Sequence, residues 1–312
     1  AEQYGLSAKR NSHAEQYGQI EKIKEVAGVQ EVILENRYEP CVVKQEETAD
    51  PNMATSDKMI GSSAAWAAGY TGAGSRIAII DTGADVDHPS LDPDALKYAL
   101  QGSNATIMTE ADLTDEVLNQ LNAYTRKAGL TAADFYVNEK IPFGFNYVDA
   151  DTDITHDNDT QGDHGSHVTG IAAGNRFVKD EAGNYVAALD SVMTQGVAPD
   201  AQILTMKVFG KRGGAYDSDY MVAIEDAMVL GADAANLSLG GSFPGYSEYT
   251  EEKYRHILDE IVGSGMVVTI SAGNSGSWFD QTAFGLPYAG SVNWATNGSP
   301  GSYVNSLCVA SV

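Results

Sequence analysis

The sequence predicts an α/β fold in which a mainly parallel sheet is covered by helices. Short apolar runs bounded by turn residues recur along the chain, at 77–80, 203–209, 234–239 and 266–271. Such runs are typical of strands that are buried on both faces of a parallel sheet. Helical patterns at 217–230 and 250–262 separate the later runs. This alternation predicts parallel strands joined by right-handed crossovers.

The elements around the first run are predicted from local signals. Residues 56–69 have the composition of one short helix, and a glycine-rich turn at 69–75 follows it. A phosphate-binding loop follows a strand and opens a helix, whereas these glycines precede the strand, so a dinucleotide-binding oxidoreductase is disfavoured. Thr109 begins a capping-box pattern, and the apolar residues after it predict a helix face: Leu113, Val117, Leu121 and Tyr124.

Composition narrows the functional class. Of the 312 residues, 43 are acidic and 19 basic, which gives a net charge of −24. Nucleic-acid binding needs a basic surface, so no nucleic-acid partner is expected. No apolar run approaches the length of a membrane span. Cys41 and Cys308 fit no metal pattern; two buried or inert thiols are favoured, and a disulfide between them stays open.

Polar residues follow the strands where open parallel sheets place their ligands. Asp81 ends the first strand, His164 stands near a helix start, and Asn274 follows the last strand. Taken alone, Asp81 could equally cap a turn. Together, an Asp suits the orientation of an imidazole, and an Asn amide suits donation to an oxyanion. Nearby glycines would let a peptide backbone pair as an added strand.

Two metal interpretations are weaker. In the acidic tract 149–163, three aspartates imitate the start of a calcium loop, but its sixth position is Ile154 and its twelfth Thr160. A solvated acidic loop is therefore favoured over a cation site. His164 and His167 share a helix face, but the sequence offers no third zinc ligand at suitable spacing.

Four motifs in order, I-A-I-I-D-T-G, H-G-S-H-V-T-G, N-L-S-L-G-G and S-A-G-N, resemble the subtilisin-like serine proteases over residues 55–275. The resemblance implies a three-layer subtilisin-like α/β fold. Asp81 then resembles the triad acid, His164 the general base, His167 the motif's structural second histidine and Asn274 the oxyanion donor. It also implies peptide-binding residues, which are Gly210, Gly213, Gly214, Ser238, Leu239, Gly240, Ala272 and Gly273.

The nucleophile of that family lies in a G-T-S-x-A-type motif, which this chain does not contain. Six serines after the last strand lack that context: Ser275, Ser277, Ser291, Ser302, Ser306 and Ser311. We therefore expect the nucleophile beyond Val312, in a C-terminally truncated chain that would be inactive alone. The long Asp-to-His segment and the C-terminal residues resemble the large cell-envelope branch, the lactocepin-like and complement-cleaving peptidases.

The resemblance also predicts domains and context. Residues 1–48 would be the end of an inhibitory propeptide plus a linker, and residues 49–312 the N-terminal part of the catalytic domain. No cofactor is required, and structural calcium stays open because Ser90 stands where the family has an Asp ligand. Expected partners are protein or peptide substrates and the missing C-terminal part of the precursor, in a secreted or cell-envelope protein of bacterial type. The alternative is a non-catalytic subtilase-fold domain that binds peptides or partners.

Overall fold

The computed structural model describes residues 13–32, 35, 37–40, 53–211, 213–241, 248–274, 297–303 and 306–310. The chain divides into two compact units, Ala1–Glu35 and Asn36–Val312. The first unit contains α1 (His13–Lys24). The domain boundary predicted between residues 48 and 49 lies outside the described residues and stays a prediction.

The second unit alternates strands with helices. Its described strands are β1 (Arg37–Pro40), β2 (Arg76–Asp81), β3 (Phe143–Asn146), β4 (Phe177–Lys179), β5 (Tyr185–Ala187), β6 (Gln202–Lys207), β7 (Ala215–Tyr216), β8 (Ala234–Leu237), β9 (Leu239–Gly240), β10 (Val267–Ser271) and β11 (Leu307–Val309). Its described helices are α2 (Met53–Ile60), α3 (Ser62–Ala67), α4 (Pro93–Ala99), α5 (Asp115–Leu118), α6 (Asn122–Arg126), α7 (Ala132–Phe135), α8 (His164–Ala173), α9 (Ala188–Ser191), α10 (Asp217–Val229) and α11 (Glu248–Ser264). Two 3₁₀ turns, Pro89–Leu91 and Glu110–Asp112, complete the set.

The central sheet has six strands in the order β11-β10-β8-β2-β6-β3. Every neighbouring pair in it is parallel, as predicted. The strand β2 lies between β6 and β8, so its carboxyl end opens at the middle of the sheet edge. A separate antiparallel sheet has the order β7-β1-β9, and β4 pairs with β5 as a two-stranded sheet.

Both faces of the central sheet are covered. Ala78 and Ile80 of β2 belong to a cluster that contains Ile224 of α10 and Leu258 of α11. Ile79 faces the opposite side and belongs to a cluster that contains Ala173 of α8. Because alternate side chains enter different cores, residues 77–80 of the strand are all apolar. The predicted three-layer arrangement is confirmed.

Two helices predicted as continuous are divided. Gly61, with φ +84°, separates α2 from α3. The pattern over 109–124 forms a 3₁₀ turn and two short helices instead of one helix. The helix α6 begins anew because the Asp226 carboxylate accepts hydrogen bonds from the amides of Asn122 and Ala123, at 2.7 and 2.9 Å. A cap supplied from so distant a residue leaves no local sequence signal.

The predicted capping box at Thr109 is present, with Asp112 as its partner. It opens the 3₁₀ turn Glu110–Asp112 rather than an α-helix. Among the helices within the described ranges, none combines the length and apolar character needed to cross a membrane.

Lys140 is fully buried at one edge of this core. Its ammonium donates hydrogen bonds to the carbonyl oxygens of Pro199 and Ala201, at 2.9 and 2.8 Å. Burial lowers the pKa of Lys140 to about 7, and the nearby Asp200 charge opposes part of that shift. The cation joins the loop before β3 to the loop before β6.

The buried lysine predicts a pH dependence of stability. Between about pH 7 and the pKa of about 10.4 of an unfolded lysine, the unfolded chain binds a proton that the native chain releases. The contribution of Lys140 to the free energy of unfolding therefore rises with pH across that window, by up to about 1.4 kcal/mol per pH unit. Urea unfolding of the wild type and Lys140→Met at about pH 7.5 and about pH 9.5 should show the larger gain in the wild type. Equal gains in the two proteins would contradict the assignment.

Candidate active site

Asp81 is the last residue of β2 and is completely buried. Its Oδ1 accepts a hydrogen bond of 2.7 Å from the amide of Thr82. It lies opposite Lys207 of the neighbouring parallel strand β6. The run of apolar residues that forms β2 thus carries one carboxylate to the middle of the sheet edge, as predicted.

His164 is the first residue of α8, and its ring meets that carboxylate. The distance between His164 Nδ1 and Asp81 Oδ1 is 2.8 Å, across 83 residues of sequence. The imidazole side chain is 13% exposed, while that of Asp81 is 0% exposed. A buried carboxylate on Nδ1 can orient the ring, and it leaves Nε2 as the nitrogen that could exchange a proton.

Gly165 and Gly83 let α8 approach the turn after β2 closely enough for the contact between His164 and Asp81. A Cβ on Gly165 would lie 2.2 Å from the carbonyl oxygen of Gly83, so α8 starts directly against the turn after β2. The amide of Gly165 also donates to Thr82 Oγ1 at 2.8 Å. Gly83 has φ +104°, and a Cβ there would lie 2.1 Å from the carbonyl oxygen of Ile154. Neither position has room for a side chain.

The loop that covers this turn was only partly predicted. Asp159 is not solvated, because it forms a 2.6 Å ion pair with Lys207 in which the side chains are 3% and 2% exposed. Lys207 also donates to the carbonyl oxygen of Thr82. The predicted solvated acidic loop is therefore wrong at Asp159. The sequence signal for this ion pair was Lys207 itself, a lysine at the end of an apolar strand.

The aspartates that imitate a calcium loop have protein donors. Asp149 Oδ2 accepts from the Asn146 side chain and the Lys211 amide. Asp153 accepts from Thr155 and Asn158. Within the ranges that the structure describes, no group of three or more His, Cys, Asp or Glu residues is arranged to hold a metal.

Ser90, which replaces the Asp ligand expected from the resemblance, contacts an imidazole and a backbone amide. Its hydroxyl lies 2.7 Å from His88 Nδ1, and its carbonyl accepts from the Asn175 amide. Calcium prefers several oxygen ligands including carboxylates, so the residues at this position do not fit a calcium site.

The predicted peptide-binding glycines flank β1. Tyr38 pairs with Ala215 of β7, and on the other side Glu39 pairs with Gly240 and Pro40 with Leu239, both antiparallel. A Cβ on Gly214 would lie 2.1 Å from the Tyr38 carbonyl oxygen. The chain's own residues 37–40 therefore lie as a middle strand between the two predicted edges.

Three more predicted residues take different positions in the same region. Gly213 adjoins Arg37, whose Nη2 would lie 3.0 Å from an added Cβ. A Cβ on Gly210 would instead lie 2.0 Å from Asp149 Oδ2, so this glycine accommodates the acidic loop. Ser238 joins β8 to β9 and precedes the edge formed by Leu239 and Gly240.

Ala272, Gly273 and Asn274 follow β10, two strands away from β2 in the sheet order. The Ala272 carbonyl accepts from the Gly298 amide at 2.8 Å, and Asn274 is exposed. Two of the serines considered as nucleophiles lie within the described residues. The Ser302 hydroxyl lies 3.3 Å from the Ser299 hydroxyl, and the Ser306 hydroxyl donates to the Pro300 carbonyl oxygen. Ser275, Ser277, Ser291 and Ser311 lie outside the described residues.

Comparison with known proteins agrees with this geometry. The family model described as "Subtilase family" matches residues 72–312. The chain is 31% identical over 318 aligned positions to a PI-type proteinase of Lactococcus lactis subsp. cremoris, covering 99% of this chain and 14% of the relative.

Two other relatives match over most of the chain. One is the Minor extracellular protease Vpr of Bacillus subtilis strain 168, 30% identical over 249 positions, covering 78% of this chain and 23% of the relative. The other is a C5a peptidase of Streptococcus pyogenes serotype M6, 29% identical over 242 positions, covering 77% and 18%. The chain thus spans less than a quarter of the length of these curated relatives.

Proposed function

Because the chain belongs to the subtilase family of serine peptidases, we propose that it supplies the acid, the base and the oxyanion donor of an endopeptidase. The observation that carries the proposal is the 2.8 Å contact between His164 Nδ1 and the buried carboxylate of Asp81. The Asp81 carboxylate is shielded from water, so its partner is the imidazole and not solvent. The imidazole of His164 is therefore the group at this sheet edge that is suited to accept and donate a proton.

In this proposal a serine from outside residues 1–312 attacks the peptide carbonyl. His164 takes the hydroxyl proton and returns it to the leaving amine, which leaves an acyl-enzyme that water then hydrolyses. The Asn274 amide donates to the oxyanion that forms during each addition. In subtilisin, where this donor has been removed, turnover falls roughly 100- to 1,000-fold.

The same proposal explains β1. An extended segment held antiparallel between two edges binds through main-chain hydrogen bonds, which is how a peptide is added to a sheet. Residues 37–40 would then be the inhibitory end of a propeptide within 1–48, released when the catalytic domain beginning near residue 49 matures. The pairing with β7 and β9 supports the inhibitory position of this segment.

The remaining expectations follow from the relatives. One of them is named an extracellular protease, which supports secretion or attachment to the cell envelope. Substrates would be proteins or peptides, and the C-terminal part of the precursor would be an obligatory partner. The chemistry proposed for Asp81, His164 and serine needs no cofactor.

A second candidate is a non-catalytic domain that binds peptides. It is favoured by one observation: both strands that hold β1, β7 and β9, are formed by this chain. The reading frame downstream of Val312 separates the two candidates, because a protease requires the G-T-S-x-A-type motif there.

Labelling with a fluorophosphonate tests the placement of the nucleophile. This reagent forms a covalent adduct with a serine that a neighbouring base activates. Residues 1–312 should give no stoichiometric adduct in intact-mass spectra, while the full-length protein should give one adduct on one serine. A stoichiometric adduct on residues 1–312 would contradict the placement, and no adduct on the full-length protein would favour the peptide-binding domain.

A further inference from the structure

The Tyr38 side chain of β1 is buried against α10, in a pocket formed by Asp217 and Tyr220. Its side chain is 1% exposed, whereas its neighbour Arg37 on the same strand is exposed. Its hydroxyl donates a 2.8 Å hydrogen bond to Asp217 Oδ1. The hydroxyl of Tyr220 donates to the same oxygen at 2.7 Å. The two tyrosine rings meet edge to face, with centroids 5.2 Å apart and an interplanar angle of 84°.

The residues that contact the Tyr38 side chain belong to α10. Asp217 is the first residue of α10, and Tyr220 lies one turn later on the same helix. Both are buried. The start of a helix favours a carboxylate, because the first amides and the helix dipole place positive charge there. One wall is thus an aromatic ring, and the end of the pocket is an anionic acceptor.

This chemistry matches a phenol more closely than other side chains. The ring of Tyr220 provides an apolar edge-to-face partner. Asp217 Oδ1 accepts a second hydrogen bond, from the Tyr38 hydroxyl, beside the one from Tyr220, and a buried carboxylate that loses one of its donors carries a desolvation cost. A phenylalanine would fill the volume without donating, and an acidic side chain would be repelled.

We propose that the pocket formed by Asp217 and Tyr220 selects a tyrosine side chain of the protein substrate. The substrate strand would take the register of β1, so that its tyrosine lies opposite Ala215 as Tyr38 does. This inference rests on the proposed function, because it assigns substrate selectivity to the same peptide-binding cleft. Tyr38 would then occupy the pocket as an internal copy of the preferred substrate.

The first test is a double-mutant cycle on the full chain, read by hydrogen exchange of the amides of residues 37–39. In the wild-type pocket, Tyr38→Phe should lower their protection about 10- to 100-fold, the range for loss of a hydrogen bond to a charged group. In the Asp217→Leu background, Tyr38→Phe should change the protection of these amides by less than about threefold. Asp217→Asn, which keeps the shape and one acceptor oxygen, should give an intermediate value.

A matched control uses the first residue of another helix. Asp115 begins α5, is exposed, and should leave the effect of Tyr38→Phe unchanged when replaced by Leu. If Tyr38→Phe leaves the protection unchanged in the wild-type pocket, the proposed selectivity is overturned. That comparison needs no change to the pocket, so it remains decisive if Asp217→Leu does not fold.

The second test uses the full-length protein and peptides that span residues 36–48, with Tyr, Phe, Leu or Lys at the position of Tyr38. The Tyr peptide should have a kcat/KM about tenfold or more above that of the Phe peptide, because a site built around a hydroxyl rejects the analogue that lacks it. Cleavage of all four peptides at similar rates, or fastest cleavage of the Lys peptide, would overturn the inference but retain the protease. Cleavage of none, with the exchange cycle intact, would remove the protease and support a tyrosine-selective peptide-binding pocket.

Discussion

Replacement of His164 by alanine should lower turnover by the full-length protein about a millionfold, the scale measured when the equivalent base is removed from subtilisin. The reason is geometric. The Asp81 carboxylate holds the ring at 2.8 Å from one nitrogen, and we place proton transfer on the other. An alanine leaves the substrate cleft unchanged but offers no proton acceptor. Peptide cleavage and fluorophosphonate labelling measure the loss, and activity within tenfold of the wild type would contradict this assignment.

Two further variants calibrate that result. Asp81→Asn keeps the shape of the side chain but favours the wrong imidazole tautomer, so turnover should fall about 10,000-fold. His167 lies on the same helix and is exposed, so His167→Ala should leave turnover within a few-fold. Circular dichroism of all three variants checks that the fold is retained. Equal losses at His164 and His167 would indicate general damage to α8 instead.

Gly165→Ala should be the most damaging single-methyl change in α8. The added carbon would lie 2.2 Å from the Gly83 carbonyl oxygen and 2.9 Å from its amide nitrogen, so backbone must move by roughly 1 Å. That movement displaces His164, the preceding residue. A misplacement of about 1 Å costs on the order of 100-fold in rate, and overpacking costs about 1–3 kcal/mol of stability. Turnover and urea unfolding measure the two losses.

The same helix supplies the matched control. A Cβ on Gly170 would meet no atom within 4 Å. Gly170→Ala should therefore raise the free energy of unfolding by up to about 1 kcal/mol through helix propensity, with turnover unchanged. If both substitutions behave alike, the close approach of α8 to the turn after β2 does not limit activity.

The parts of the site predicted from sequence are those with a local signal. Asp81 follows a run of four β-prone residues, and His164 opens a stretch of small residues, so local pattern alone places each at the end of an element. Their contact was expected from the order of the motifs and their resemblance to the subtilases, because His164 begins a helix and ends no strand.

The parts that were missed depend on pairing between distant residues. Asp159 lies in an acidic tract that suggests solvation, and only the arrival of Lys207, 48 residues later, explains its burial. Tyr38 and Asp217 are separated by 179 residues. Periodicity shows which face of an element is buried, but it does not show which polar group another element will supply.

The glycine contact between Gly83 and Gly165 also affects how this chain tolerates change. The Asp81–His164 distance is fixed where α8 meets the turn after β2, so it is independent of the contour length between the two residues. Segments inserted in the exposed turn at 101–104 would lengthen a connection whose closure entropy grows only slowly. The protein can therefore accept an inserted segment at that point without a change in the contact between Asp81 and His164.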